Sequence, residues 1–415
     1  LHTHNRGIGV SGLVGLLLLA GWALSTGVAG AAIAPAPEGK VRFYNIANSD
    51  FDSFSRHPDE QEQQWMRDHY VRMQTYSPYF DARLKWFPNA WVYKDSYAIK
   101  PDWPVYRQHP EWLLRDADGN ALYIPWGCGK GVCPQFAADV GNAEFRAHWI
   151  AQAQALLKKG YRGIWIDDVN LAWRVSDGNG EFRQPIDPRT GKPMTLDSWQ
   201  TNFARFMEEI RAALPAAEIA HNAIWYAGDF DNPLILRQIA AADYINLERG
   251  ASDPGLTGGD GRWSFLRFLQ FIDRVQQSDR SVILMDYGDT PRQREFGLAA
   301  WFLISRGRDM ISSNQLTWTA PGAFWPGYAL NLGPALGRRT EWRGVLRRDF
   351  RCGTVLLNPP DRARVALSLP SGQRRMDGTP AGSFTLRGAE AAIILHACRK
   401  EAGITRSSGA IPGDE

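Results

Sequence analysis

The short apolar runs in the middle of this chain end, one after another, in an acid, an amide or a histidine. Gly163-Ile-Trp-Ile166 runs into Asp167-Asp168, and Glu218-Ile-Ala220 into His221-Asn222. Asp243-Tyr-Ile-Asn-Leu247 runs into Glu248, Ser281-Val-Ile-Leu-Met285 into Asp286, and Asp309-Met-Ile-Ser-Ser313 into Asn314. Amphipathic stretches such as 142–159 and 196–214 separate the runs, a rhythm of strand and helix that builds a parallel sheet. Upstream, Val41 to Ala47 reads as a first strand, 60–85 as mostly helical, Ala90 to Tyr93 as a second strand and 134–138 as a third. Eight such strands close a barrel. In a closed parallel barrel the C-terminal strand ends share one mouth, where the active site sits. Polar residues scattered for structural reasons would not collect at one end of successive strands.

The pattern changes after Pro334. Gly353 to Leu357, Ala363 to Leu369, Gly382 to Leu386 and Ala391 to Leu395 are short strands with turns at Asn358-Pro-Pro360 and Asp377-Gly378. The expected fold is therefore a (β/α)8 TIM barrel over 41–333, followed by a small C-terminal all-β sandwich over 334–400. A Gly- and Ser-rich tail over 401–415 is expected to be disordered.

Residues 1–31 have the make-up of a signal peptide. Arg6 precedes an almost wholly apolar run from Gly7 to Leu24, and Val28-Ala-Gly-Ala-Ala32 supplies small residues for cleavage. An uncleaved anchor is the alternative, because the run is nearly long enough to span a bilayer. Cleavage would leave a secreted or periplasmic protein without stable membrane insertion. In that setting Cys128 with Cys133, and Cys352 with Cys398, are expected to form two local disulfides.

The formal charge of +3 spread over 415 residues argues against a nucleic-acid partner, which would call for clustered Lys and Arg. No glycine-rich phosphate loop, zinc-type cysteine pair or kinase signature is present, so neither cofactor nor metal is expected. The 17 Trp and 13 Tyr can serve either a core or the faces of sugar rings. Trp126 and Trp173 fall in stretches between strands, where sugar stacking is the better use.

Cleaving a glycosidic bond takes two carboxyl groups, one to protonate the leaving oxygen and one to attack or to activate water. The carboxyls at strand ends are Asp167, Asp168, Glu248 and Asp286, with Asp289 just beyond. Neighbouring residues on a strand point to opposite sides. Asp167 directly ends its strand and is the expected catalytic carboxylate, with Glu248 as proton donor. Asp168, His221, Asn222, Tyr226, Asp286, Tyr44, Lys94, Trp126 and Trp173 are the expected substrate-binding residues. The Asp-Asp pair can equally cap a turn, Glu248 can pair with Arg249, and His221 can be an inner histidine. Two other classes of function share these residues. One is a carbohydrate-binding or polysaccharide-export accessory protein that kept the barrel and lost catalysis. The other is a metal-dependent hydrolase using Asp167, Asp168, His221 and Asp286, although no two histidines stand at ligand spacing.

Gly160-Tyr-Arg-Gly-Ile-Trp-Ile-Asp-Asp-Val169 resembles the fourth-strand signature of uncharacterised glycosyl-hydrolase-like barrels and, more distantly, of endo-α-1,4-polygalactosaminidases. The likeness extends loosely over 41–314, and the terminal strands look like the C-terminal domain of α-amylase-type enzymes. It implies that Asp167 is the strand-four catalytic Asp and, by position, that Glu248 is the sixth-strand Glu. It implies a glycoside hydrolase acting on a polysaccharide or oligosaccharide.

Overall fold

The computed structural model describes residues 35–399 apart from 51, 130–131, 314–320 and 323. The signal-like start, the Gly- and Ser-rich tail and Asn314 lie outside the described residues. Eight parallel strands close a barrel: β1 (Phe43–Ala47), β2 (Tyr70–Thr75), β3 (Ala90–Asp95), β4 (Gly163–Asp167), β5 (Glu218–Asn222), β6 (Tyr244–Arg249), β7 (Ser281–Asp286) and β8 (Met310–Ser313). Each pairs with its sequence neighbours, and β8 pairs back onto β1. Six helices cover it: α1 (Glu60–His69), α2 (Ala143–Leu157), α3 (Leu196–Ala213), α4 (Pro233–Ala241), α5 (Phe265–Gln277) and α6 (Pro291–Ile304). Asn142, Thr195, Asn232, Ser264 and Thr290 cap the last five, each accepting a backbone N–H of the first turn.

Two of the expected strands are reassigned. The second barrel strand lies inside the 60–85 stretch, so Ala90–Asp95 is the third. Phe136–Ala137 is not a barrel strand; it pairs antiparallel with Ala98–Ile99 outside the barrel. β2 hides because it follows α1 without a loop and places Arg72 and Gln74 inside the barrel. Arg72 Nε and Nη2 donate to the Glu218 carboxylate at 2.7 Å each, and Trp91 Nε1 donates to it at 2.8 Å. A charged pair therefore fills the lower barrel where an apolar layer would leave an easier trace in sequence.

The phase of each strand follows from what it packs against. Tyr44, Ile46, Trp91, Trp165, Ala220, Tyr244, Ile283, Met285 and Met310 form the inner core. Ile164, Ile166, Ile219, Ile245, Leu247, Val282 and Leu284 pack outward against the helices. Two glycines of the Gly160-to-Val169 segment have evident reasons. Gly160, at φ 108°, reverses the chain after α2, and a Cβ on Gly163 would lie 2.1 Å from the Glu218 carbonyl oxygen.

The C-terminal strands are β9 (Thr340–Trp342), β10 (Val345–Phe350), β11 (Gly353–Asn358), β12 (Val365–Ser368), β13 (Arg374–Arg375), β14 (Ser383–Leu386) and β15 (Glu390–Leu395). Five form one antiparallel sheet, β12 and β14 form a second, and Val345, Leu356, Leu367, Leu386 and Ile394 fill the space between. The larger sheet packs on α6, whose residues Phe296 to Ile304 are all buried. Arg348 Nη1 donates to the carbonyls of Phe302 and Ser305 at 2.8 Å each, tying sheet to helix. Disulfides join Cys128 to Cys133 and Cys352 to Cys398. No helix among the described residues is long and apolar enough to cross a membrane.

Candidate active site

At the mouth, the inward phase brings together residues near the ends of β3, β4, β5 and β6: Tyr93, Asp167, Asn222 and Glu248. Asp167 accepts three hydrogen bonds of 2.8 Å, from Tyr93 Oη, Asn222 Nδ2 and its neighbour's backbone N–H at Asp168. Three donors into two oxygens suit an ionised carboxylate, which is acceptor-only. The same Asn222 Nδ2 stands 3.3 Å from Glu248 Oε2. Asn246 Nδ2, one layer below on β6, donates to Asn222 Oδ1 at 2.8 Å and fixes which way that amide faces. One nitrogen reaching both acids at 2.8 and 3.3 Å keeps those two oxygens within about 6 Å of each other. Glu248 is open to solvent on one side. The protein around its carboxyl still removes enough water to raise its pKa, and the charge of Asp167 adds to the rise.

A second pair of acids flanks this one. Asp168, at φ 54°, turns out of line with β4, and Asn170 Nδ2 donates to it at 3.1 Å. Burial, then the charge of Asp167, pushes Asp168 up to about 6, against opposing hydrogen bonds from Asn170, Asp95 and Trp126. Asp95, ending β3, accepts the N–H groups of Tyr97 and Ala98 at 2.8 and 2.7 Å. Burial, then the charges of Asp168 and Asp167, pushes it well above the usual carboxylate range.

Residues 79–354, which take in this mouth and most of the barrel, match the model of hypothetical glycosyl hydrolase family 15. The chain belongs to that family. No curated protein matches it. Among solved structures it is similar to the glycoside hydrolase domain of PelA from Pseudomonas aeruginosa, at 14% identity and TM-score 0.41 over 69% of this chain and 98% of that one. It is also similar to an α-amylase from Geobacillus thermoleovorans complexed with acarbose, at 10% identity and TM-score 0.46 over 89% of this chain and 100% of that one. An α-amylase from Lactobacillus plantarum aligns at 14% identity and TM-score 0.46, over 87% and 99% of the two chains.

In this family member the mouth takes in only part of the set expected from sequence. Asp167, Glu248 and Asn222 converge, with Asp168 beside them and Trp126 reaching Asp168 from an exposed loop position. Trp173 is half-buried against the outer core. Three other residues face away. His221 points outward into the helix layer, wholly buried, with neither ring nitrogen hydrogen-bonded, and burial and Arg211 depress its pKa to about 3. Asp286 also points outward, where Ser252 N and Oγ donate to its Oδ1 at 2.8 and 3.0 Å. Lys94 lies behind β3, donating to Gln152 Oε1 of α2 at 2.7 Å. Two tyrosines sit out of reach in the core. Tyr44 is buried below the mouth and donates to Gln74 Oε1 at 2.6 Å, and Tyr226 is buried against Trp263 and Phe268.

His221 and Asp286 therefore do not join Asp167 and Asp168 in one cluster, so the structure does not bring together the four ligands of the metal-dependent alternative. Sequence reasoning missed Tyr93, Asn246 and Asp95. The first two share the inward phase of Trp91 and Tyr244, a period-2 signal that was available. Asp95 shares that phase, four positions beyond Trp91, but the expected strand stopped at Tyr93.

Proposed function

We propose that this glycosidase hydrolyses a polysaccharide or oligosaccharide with Asp167 and Glu248 as its paired carboxyls, and that it retains anomeric configuration. The observation that carries the reading is Asn222, whose single amide nitrogen contacts both acids. An upper limit of about 6 Å admits the ~5–5.5 Å of retaining glycosidases and falls short of the ~6.5–9.5 Å that holds a water between the carboxyls. Asp167, held by three donors, attacks the anomeric carbon. Glu248, with its raised pKa, gives its proton to the leaving oxygen and then takes one from the water that releases the sugar. Tyr93 and Asn222 hold Asp167 on line, and Asn246 holds Asn222.

The two disulfides fit a protein exported to an oxidising compartment. The test is reducing-sugar release against a polysaccharide panel by wild type, Asp167→Asn and Glu248→Gln, with proton NMR of the first product anomer. The expected result is loss of several orders of magnitude in turnover with substrate binding nearly intact, and retained configuration. Near-normal turnover in both amide variants would remove the pair, and an inverted first product would remove the nucleophile role of Asp167.

A further inference from the structure

A cavity of about 760 Å³ opens beside the mouth, between the end of β3, the loop that follows it and α2. Its volume falls within the range of small-ligand sites, roughly 300–1,000 Å³. It lies behind β3, one side chain from the mouth: Tyr93 lines it while its hydroxyl touches Asp167 at 2.8 Å. Tyr76 stacks on Tyr93 with ring centroids 4.7 Å apart, and Trp103 forms part of the lining. Aromatic faces with a few polar groups among them are what a sugar ring needs from a wall.

The charge of the lining is one-sided. Lys94, Lys100 and Lys159 all contribute to it. Lys159 is committed, since its Nζ lies 2.8 Å from Asp81 Oδ2. Among the described residues, neither Lys94 nor Lys100 has an acid within ion-pair distance. Lys94 Nζ donates once, to Gln152, and lies 5.0 Å from the ring centre of Trp149, leaving donors unused. His148, also in the lining, has a buried Nε2 with no partner. The one acid in the lining is Asp95, whose charge is suppressed by burial and by Asp168 and Asp167. A half-buried ammonium without a counter-ion is costly, and a carboxylate that reaches it supplies both the charge and the hydrogen bonds.

We propose that this cavity is a substrate subsite for an anionic glycan, with Lys94 and Lys100 receiving the carboxylate of a hexuronate residue and Trp103 packing on its ring. The proposal rests on the Asp167–Glu248 reading for its place along the substrate. A sugar bound there is separated from Asp167 by Tyr93, so the cavity selects by charge among chains long enough to reach from the acid pair around the end of β3.

The test is calorimetric binding to full-length Glu248→Gln protein, using tetragalacturonate, a sulfated tetrasaccharide, neutral maltotetraose and a chitosan tetramer. Tetragalacturonate is expected to bind at least tenfold tighter than the other three. Lys94→Met should cost about tenfold of that affinity and Lys100→Ala severalfold, with neutral binding unchanged. Lys100 is exposed, so its variant reports even if Lys94→Met fails to fold. No binding of tetragalacturonate, equal binding of maltotetraose, preference for the sulfated or amino sugar, or unchanged uronate affinity in the lysine variants would each overturn the proposal. Because binding is read without turnover, its failure stays separable from failure of the acid pair.

Discussion

Asp286 ends an apolar strand at the mouth side of the barrel, so it has the sequence position of a third catalytic acid, yet its side chain faces away from the other two. It is 1% exposed, and its carboxyl is wedged between two glycines: a Cβ on Gly250 would lie 2.3 Å from Oδ1, and one on Gly297 of α6 would lie 2.2 Å from Oδ2. Burial, only partly opposed by Ser252, pushes its pKa from 3.8 up to about 6. The native state therefore holds the proton more tightly than the unfolded chain does. Stability from this group is fully present below about pH 4 and is lost as pH rises through about 6. A rise of about two units corresponds to ~3 kcal/mol between those limits. Asp286→Asn removes the titration while keeping an oxygen for Ser252. Its absolute offset includes roughly 1–3 kcal/mol for burying an amide N–H pair where Oδ2 now has no partner, so the diagnostic is the change with pH. Urea unfolding of wild type and variant at pH 4, 5, 6 and 7.5 should show the variant gaining on wild type by about 2–3 kcal/mol across the series. Turnover should stay within a few-fold of wild type. A pH-independent difference, or a loss of turnover like that of Asp167→Asn, would show that the carboxyl is ionised in the mouth and that this placement is wrong.

Other consequences are open to direct measurement. Glu218 lies at the floor of the barrel, where two hydrogen bonds from Arg72 overcome the effect of burial and hold its pKa down; Glu218→Gln should cost about 3–5 kcal/mol of stability by stranding that guanidinium, with kcat of the folded fraction unchanged. A chain ending at Leu332 should aggregate rather than fold, because it would uncover the buried face of α6 from Phe296 to Ile304; a soluble product melting at the wild-type temperature would contradict this. As Glu248 must be protonated to act, kcat/KM should fall as pH rises through its raised pKa, and a profile with no alkaline limb would deny it the acid role.

The barrel was legible because parallel strands buried on both faces leave dense apolar runs, and β4 to β8 all stand where those runs predict. β2 escaped for the same physical reason in reverse. Its inward positions are Arg72 and Gln74, each hydrogen-bonded to a partner far along the chain, Glu218 and Tyr44, and no local pattern announces a buried arginine. The cavity lined by Lys94 and Trp103 was invisible too. It arises where the loop after β3 meets α2, some fifty residues further on, and sequence spacing carries no trace of that meeting.

The sorting of the strand-end residues is the step that matters most for function, and it turns on phase alone. Each of β4 to β7 finishes in polar residues, but only those an even number of positions from an inward anchor reach the mouth. Asp167 is two beyond Trp165, Asn222 two beyond Ala220, and Glu248 four beyond Tyr244, all members of the inner core. His221 and Asp286 fall one position off, next to Ala220 and Met285, and so turn into the helix layer. There a histidine can only stay neutral, and an aspartate can only hold a loop. Lys94 obeys the same rule beside Tyr93, and its outward turn places it in the cavity behind β3 rather than over the acid pair. A one-residue slip of β5 would exchange Asn222 for His221 at the mouth and break both contacts that bring Asp167 and Glu248 together. The part-buried ladder Asn246–Asn222–Asp167, running across β6, β5 and β4, is what holds that register at the point where chemistry requires it.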